Sequence, residues 1–139
     1  MREILFKAKR LDNREWIIGS YIKFDEDHAF ILPLFENAST LTYTQIFSVN
    51  AVMVDHKTVC SYTGRKDKNG KRIFEGDKCL YVSDNDEDKE YETYSHLIAW
   101  RRSTSSFVAV DTFFWDALPF YDGFCENCMV VGNIHDKEE

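Results

Sequence analysis

The sequence lacks any apolar run long enough to cross a membrane. A transmembrane helix needs about 20 predominantly apolar residues, and no segment of the chain approaches that length. The opening residues, 1–7, also lack the apolar core and the small-residue cleavage site of a secretory signal. We therefore expect no membrane association and a cytoplasmic protein, in which cysteine thiols stay reduced.

Proline is scarce, with two residues in the whole chain, whereas aromatic residues make up 15%. Apolar residues make up 44%, which is enough for a core and excludes an intrinsically disordered protein. Aromatic and β-branched residues favour strands, and alternation of period two recurs in short segments. We predict a mainly β fold of the α+β type, with antiparallel sheets and few short helices. The predicted strands cover residues 2–9, 16–23, 28–34, 49–54, 59–63, 77–83, 94–101, 107–110 and 130–134, and a short helix is predicted over residues 112–118.

A polar break at residues 55–58 separates two groups of predicted strands. We predict an N-terminal β-rich module over residues 1–57 and a C-terminal module over residues 58–139, packed together as one unit. Short strands with turns at intervals of about 8–12 residues are typical of a sandwich or a small barrel.

Positive charge is in deficit: 24 acidic residues against 17 Lys and Arg give a net charge of −7. A surface of this sign repels a phosphate backbone, so it disfavours nucleic-acid binding by the whole surface. Six acidic residues and one lysine in residues 84–92 indicate an exposed loop. That loop is one strand away from the basic residues 65–72, so the two segments could pair within one chain or between two chains.

No catalytic constellation is recognisable in the sequence. The glycine-rich segment departs from a phosphate-binding loop, because five residues separate Gly64 from Gly70 and Arg72 stands where a hydroxyl is needed. The acidic loop departs from a calcium-binding loop, because Lys89 replaces the glycine of its sixth position. No serine or cysteine partner motif accompanies the four histidines, His28, His56, His96 and His135.

The cysteines include one lone Cys-x-x-Cys pair, Cys125 and Cys128. A structural zinc site needs four ligands, usually from two such pairs, and the sequence has no second pair. The other ligands would have to come from two of Cys60, Cys79 and His135. Reduced, partly buried thiols are the simpler interpretation, and we predict no metal and no other cofactor.

The strongest local signal lies in residues 62–77, where three of the six glycines fall within thirteen residues. Glycine is favoured where the backbone needs a positive φ or a sharp turn, and Asn69-Gly70 is typical of a type I′ hairpin turn. Glu75 and Asp77 flank the last glycine. Such carboxylates usually accept backbone N–H groups, although a close acidic pair can also serve acid–base catalysis. The predicted turn residues are Gly64, Asn69, Gly70, Glu75, Gly76 and Asp77.

The same segment is locally basic. Five cations and one acid, Asp67, give residues 65–72 a local charge of +4 (5 − 1). A charge run is usually a solvated face, but this one can also bind an anionic partner. The predicted binding residues are the five cations and two flanking aromatic residues: Arg65, Lys66, Lys68, Lys71, Arg72, Tyr62 and Phe74.

These residues closely resemble the signature of the YopX family of phage and prophage proteins. The matching runs are Tyr62-Thr63-Gly64, the Lys-Asp-Lys-Asn-Gly-Lys of residues 66–71 and the Ile-Phe-Glu-Gly-Asp of residues 73–77. Residues 2–8, 16–20 and 130–135 resemble the opening and closing strands of that family. The resemblance implies a phage or prophage protein of the bacterial cytoplasm, mostly β, with a small SH3-like barrel in its C-terminal half. It implies no established activity.

Together these features predict a non-enzymatic accessory protein that binds another macromolecule, such as a host or phage protein, and forms a homo-oligomer. The predicted contact surface is the basic segment with its flanking aromatic residues. Two alternatives stay open. One is nucleic-acid contact through the basic segment, and the other is an enzyme that uses Glu75 and Asp77.

Overall fold

The computed structural model describes residues 3–34, 50–82, 93–111, 117–120 and 122–136. The chain divides into two compact units, Met1–Tyr62 and Thr63–Glu139. The division falls within a strand, a few residues after the boundary predicted between residues 57 and 58. The predicted acidic loop at residues 84–92 lies outside the described residues, as do residues 112–116 of the predicted helix.

The first unit is an antiparallel sheet with the strand order β4-β3-β2-β1-β5. One isolated bridge between Arg10 and Val54 links β4 to the chain just after β1. The elements are β1 (Phe6–Lys9), β2 (Trp16–Lys23), β3 (Ala29–Pro33), β4 (Val52–Val54), the 3₁₀ turn η1 (His56–Thr58) and the start of β5 (Cys60–Lys66).

Alternating residues of these strands form the core of the first unit, as the period of two predicts. Ile31 on β3 lies opposite Tyr21 on β2 and Val52 on β4. These cross-strand neighbours place apolar side chains on one face of the sheet. The buried core residues are Ala8, Ala29, Ile31 and Val54, and Phe6, Ile17, Tyr21 and Val59 pack against them.

Asp55 fixes the chain between β4 and β5. Its Oδ1 accepts the backbone N–H of Lys57 at 3.0 Å, and its Oδ2 accepts Nη1 of Arg14 at 3.1 Å. Burial alone would raise the pKa of Asp55. The Lys57 amide and the Arg14 guanidinium outweigh burial and hold the pKa of this carboxyl below its usual range, so the ionised form stabilises the folded state.

Replacing Asp55 with alanine is expected to lower the free energy of unfolding by about 1 kcal/mol at neutral pH, the usual contribution of a cap. Because the pKa of Asp55 is depressed on folding, this contribution is complete above the unfolded-state pKa of about 3.9 and is lost as the pH falls below it. Urea unfolding at about pH 7 and about pH 2.5 measures the change. Asp27→Ala removes the same charge from an exposed site and serves as the control. An Asp55→Ala effect of equal size at both pH values would contradict this role.

The second unit contains a five-stranded antiparallel sheet with the order β10-β9-β8-β7-β11, and β6 pairs with β5. The mainly β, antiparallel prediction is confirmed. The described strands of this sheet do not close on themselves, so the SH3-like barrel is not confirmed. The elements are β6 (Arg72–Phe74), β7 (Asp77–Val82), β8 (Thr93–Arg101), β9 (Ser106–Asp111), β10 (Ala117–Pro119), α1 (Asp122–Asn127) and β11 (Cys128–Asn133).

Helix α1 lies outside the segment that the sequence predicts to be helical. Residues 117–119 form β10, in which Leu118 pairs with Ala109 of β9. The helix predicted over residues 112–118 is therefore wrong at residues 117 and 118. A short apolar run without alternation does not distinguish a strand from a helix, and here pairing with β9 decides the outcome. The helix α1 follows instead and includes Cys125.

The core of the second unit packs α1 against the sheet. Phe124 of α1 stacks on Tyr81 of β7, with 5.5 Å between ring centroids, and contacts His96 of β8 edge to face at 5.2 Å. The buried core residues are Ile73, Cys79, Ile98, Ala109, Phe124, Cys125, Cys128 and Val130.

Among the described residues, no helix has the length and apolar character needed to cross a membrane.

Candidate functional site: the basic hairpin

The basic hairpin comprises residues 65–72, where β5 turns into β6. The N–H of Asp67 donates to the carbonyl of Lys71 at 2.8 Å, and the N–H of Gly70 donates to the carbonyl of Asp67 at 3.0 Å. Gly70 has a φ of +79°, whereas Asn69 does not have a positive φ. This is a type I turn followed by a left-handed glycine, so the predicted type I′ turn is wrong. Aspartate at the first position and glycine at the fourth favour type I.

The side chain of Asp67 joins this turn to β11 by hydrogen bonding. Its side chain is 6% exposed. Oδ1 accepts the backbone N–H groups of Asn69 and Lys71, each at 2.9 Å, and Oδ2 accepts the N–H of Val130 at 2.9 Å. Three backbone amides therefore compensate the single negative charge of the hairpin, and that charge points into the protein.

The other two glycines of the segment also have positive φ, +87° at Gly64 and +85° at Gly76. Gly76 closes the turn between β6 and β7. Its N–H donates to the carbonyl of Ile98 at 2.7 Å, and its carbonyl accepts the N–H of Ile134 at 3.0 Å. A left-handed glycine therefore ties this turn to β8 and to the chain after β11.

Asp77 is a buried capping residue. Its side chain has no exposed surface. Oδ2 accepts the backbone N–H of Phe74 at 2.8 Å, and Oδ1 accepts Nδ2 of Asn133 at 2.9 Å. This is the structural role that the sequence favours for the acidic pair, whereas Glu75 is half-buried in the turn itself. A fully buried carboxylate with both oxygens engaged is not available to a substrate.

The exposed charges of the basic hairpin are all positive. Lys66, Lys68 and Lys71 are exposed, and Arg65 and Arg72 are half-buried. The Cζ of Arg65 lies 5.9 Å from the ring centroid of Phe120, a cation–π distance. The three lysines are therefore the cations that the hairpin offers to a partner, on a turn whose backbone is fixed.

Tyr62 and Phe74 do not belong to this surface. Their side chains are 5% and 2% exposed, so the prediction that both contribute to a contact surface is corrected. Apolar aromatic side chains next to a tight turn are favoured in the interior because burial removes a large apolar area from water. The candidate site is consequently a cationic surface to which neither Tyr62 nor Phe74 contributes.

The four cysteines are buried and do not form disulfides. Burial raises the pKa of Cys125 to about 11, and a hydrogen bond with Cys128, together with burial, raises the pKa of Cys79. Cys79 and Cys125 therefore stay protonated at neutral pH, a form in which a thiol is a poor nucleophile and a poor metal ligand. The hydrogen bond with Cys79 lowers the pKa of Cys128. In the described part of the chain, no three His, Cys, Asp or Glu side chains are grouped so as to hold a metal ion.

The sequence-based prediction misses the roles of two residues that fix the segment 62–77, Asp67 and Asn133. The prediction from the sequence treats Asp67 only as a negative charge. The run Asp-x-Asn-Gly is nevertheless typical of a turn in which the carboxylate accepts nearby backbone N–H groups. Asn133 gives no local signal at all, because its partner Asp77 is 56 positions away in the sequence.

The sequence model of the YopX protein family matches residues 5–139. The crystal structure of protein EF1440 from Enterococcus faecalis has a similar fold, with a TM-score of 0.56 and 23% sequence identity. That similarity covers 98% of this chain and 96% of the other, and at this identity it supports the fold alone. No curated protein sequence matches the chain.

Proposed function

The chain belongs to the YopX family, and we propose that it is a non-enzymatic protein that binds an acidic partner protein through the exposed lysines of the basic hairpin. As the family resemblance implies, the proposal places it in the bacterial cytoplasm, encoded by a phage or prophage, and includes self-association. The partner is a host or phage protein rather than a long nucleic acid, because the net charge of −7 opposes a phosphate backbone.

One observation carries this proposal, the inward orientation of Asp67. A solvated charge run usually mixes both signs at the surface, but here the only acid is buried against three backbone amides. Lys66, Lys68 and Lys71 then form an exposed cationic set on a negatively charged protein. Such a local patch orients an acidic partner and accelerates its association.

Replacing Lys66, Lys68 and Lys71 together with glutamine is expected to reduce capture of the partner at least about tenfold at about 50 mM salt. The measurement is affinity capture from bacterial extract on immobilised protein, with the retained proteins quantified by mass spectrometry. Capture by the unaltered protein is expected to fall steeply at about 500 mM salt, because exposed charges are screened.

The matched control replaces Lys23, Lys57 and Lys78 with glutamine, because these lysines are also exposed and the change in net charge is the same. This control variant is expected to capture the partner normally. Equal capture by the two triple variants would overturn the proposal. Nuclease treatment of the extract should leave capture unchanged, and its loss would point to a nucleic acid at the basic hairpin instead.

A further inference from the structure

The turn of the basic hairpin carries an asparagine whose side chain is not engaged by the fold. Asn69 and Gly70 are both exposed. The backbone N–H of Asn69 donates to Oδ1 of Asp67, but within the described part of the chain its carboxamide makes no hydrogen bond. The exposed Asn13 differs, because its Oδ1 accepts the N–H of Glu15 at 2.9 Å. The carboxamide of Asn69 is therefore free to turn toward the backbone.

Gly70 leaves the backbone next to this side chain unshielded. A Cβ built at Gly70 would lie within 4 Å of no described atom beyond the neighbouring residues, so the position opens to solvent. Glycine also has no side chain of its own to cover its nitrogen, and its backbone reaches conformations that other residues avoid. The nitrogen of Gly70 and the carboxamide carbon of Asn69 can therefore approach each other once the turn opens.

One hydrogen bond opposes this approach. The N–H of Gly70 donates to the carbonyl of Asp67 at 3.0 Å, and the nitrogen must leave this bond before it can react. The bond lies in an exposed turn, where local opening costs less free energy than global unfolding. A reaction between Gly70 and Asn69 therefore proceeds in the folded protein, at a rate that the opening of the turn limits.

We propose that Asn69 is a site of spontaneous deamidation, by which the basic hairpin gains a carboxylate with time. The backbone nitrogen of Gly70 loses its proton and attacks Cγ of Asn69, so that a C–N bond forms and the bond from Cγ to Nδ2 breaks. The released amide nitrogen takes up protons and leaves as ammonia. Water then adds to one of the two carbonyl carbons of the cyclic imide and opens it, which gives aspartate or isoaspartate at this position. Water is the only co-reactant.

The modification changes the surface that the proposed function uses, and this consequence rests on that proposal. The exposed charges of the basic hairpin are Lys66, Lys68 and Lys71, which are all positive. The new carboxylate lowers the local charge of residues 65–72 from +4 to +3 (4 − 1) and is the first exposed negative charge among them. A modification that changes charge acts through the same attraction and repulsion as the charges already present. Capture of an acidic partner therefore weakens as the hairpin ages.

Incubation of the folded protein at mildly alkaline pH for several days tests the site, because base removes the proton from the Gly70 nitrogen. Chymotryptic cleavage after Tyr62 and Phe74 gives a peptide in which Asn69 is the only asparagine. Mass spectrometry measures its deamidated fraction relative to protein that has not been incubated. That fraction is expected to be at least about tenfold the fraction at Asn13, an exposed asparagine that an arginine follows. Comparable fractions at the two asparagines would overturn the inference.

Two variants test the consequence for binding. Asn69→Asp carries the new charge permanently, whereas Asn69→Gln keeps a neutral amide one methylene further from the backbone, which disfavours the cyclic imide. At about 50 mM salt, Asn69→Asp is expected to capture the acidic partner about two- to threefold less than Asn69→Gln, because it changes one charge and the lysine variant changes three. Equal capture by the two variants would overturn this consequence. If Asn69 deamidates while the variant with Lys66, Lys68 and Lys71 replaced by glutamine captures normally, the modification site stands and the proposed function fails.

Discussion

Replacing Asp67 with alanine is expected to lower the free energy of unfolding by about 3 kcal/mol or more. A hydrogen bond to a charged group contributes about 1.5–3 kcal/mol, and a buried N–H left without an acceptor adds its own cost. Asp67 accepts three such bonds. The amide of Val130 loses the acceptor that joins the basic hairpin to β11, so the effect exceeds that of a simple turn residue.

The Asp67→Asn variant separates the two contributions of this carboxylate, its bonds to the turn and its bond to β11. An asparagine offers one oxygen acceptor in place of two, so it can serve the turn amides of Asn69 and Lys71 or the amide of Val130, but not both. We expect about half of the alanine effect, measured by urea unfolding at neutral pH. Asp27→Ala, at an exposed site, is the control for loss of charge. A stability of Asp67→Ala within about 0.5 kcal/mol of the unaltered protein would contradict the buried role of this carboxylate.

Replacing Gly19 with alanine is expected to lower the free energy of unfolding by about 3 kcal/mol or more, because overpacking here involves backbone. Gly19 lies in β2 and pairs with Phe6 on β1 and Pro33 on β3. A Cβ at this position would overlap the carbonyl oxygen of Leu32 and lie 2.8 Å from its carbonyl carbon. Backbone atoms of a paired strand cannot rotate away, so β2 and β3 would have to separate locally.

The control for this prediction is Ser20→Ala, one residue further along β2. Ser20 is exposed, so its replacement should change the free energy of unfolding by no more than about 0.5 kcal/mol. Urea unfolding of both variants gives the comparison. If Gly19→Ala is as stable as Ser20→Ala, the close approach of the two backbones at this position is incorrect.

The sequence carries enough information to predict the strands, because their signal is local. Alternation in residues 16–23 coincides with β2, and the strand predicted at residues 94–101 is β8 extended by one residue. The signature glycines Gly64, Gly70 and Gly76 take the positive φ that their residue type favours. Each of these features is decided by residues within a few positions of one another.

The features that the sequence does not reveal depend on distant pairing. The bond from Asn133 to Asp77 and the bond from Val130 to Asp67 each join residues more than fifty positions apart. Neither bond leaves a periodic pattern in the sequence. Likewise, Tyr62 and Phe74 sit beside exposed cations in the sequence, yet the fold buries both side chains. The direction in which a side chain points is set by the packing of its strand, and composition alone does not supply it.

The central claim is that Asp67, the one acid of the basic hairpin, faces the protein interior and joins the hairpin to β11. Lys66, Lys68 and Lys71 are then the exposed charges of the hairpin. Amide hydrogen exchange in Asp67→Ala, which removes both acceptor oxygens, tests this most directly at Val130, with Gly76 as the reference because its N–H donates to Ile98 independently of Asp67. The claim predicts that exchange at Val130 accelerates at least about tenfold more than exchange at Gly76, since local opening precedes global unfolding. Equal acceleration at the two amides would show that Asp67 does not hold Val130, and the inward orientation would be wrong.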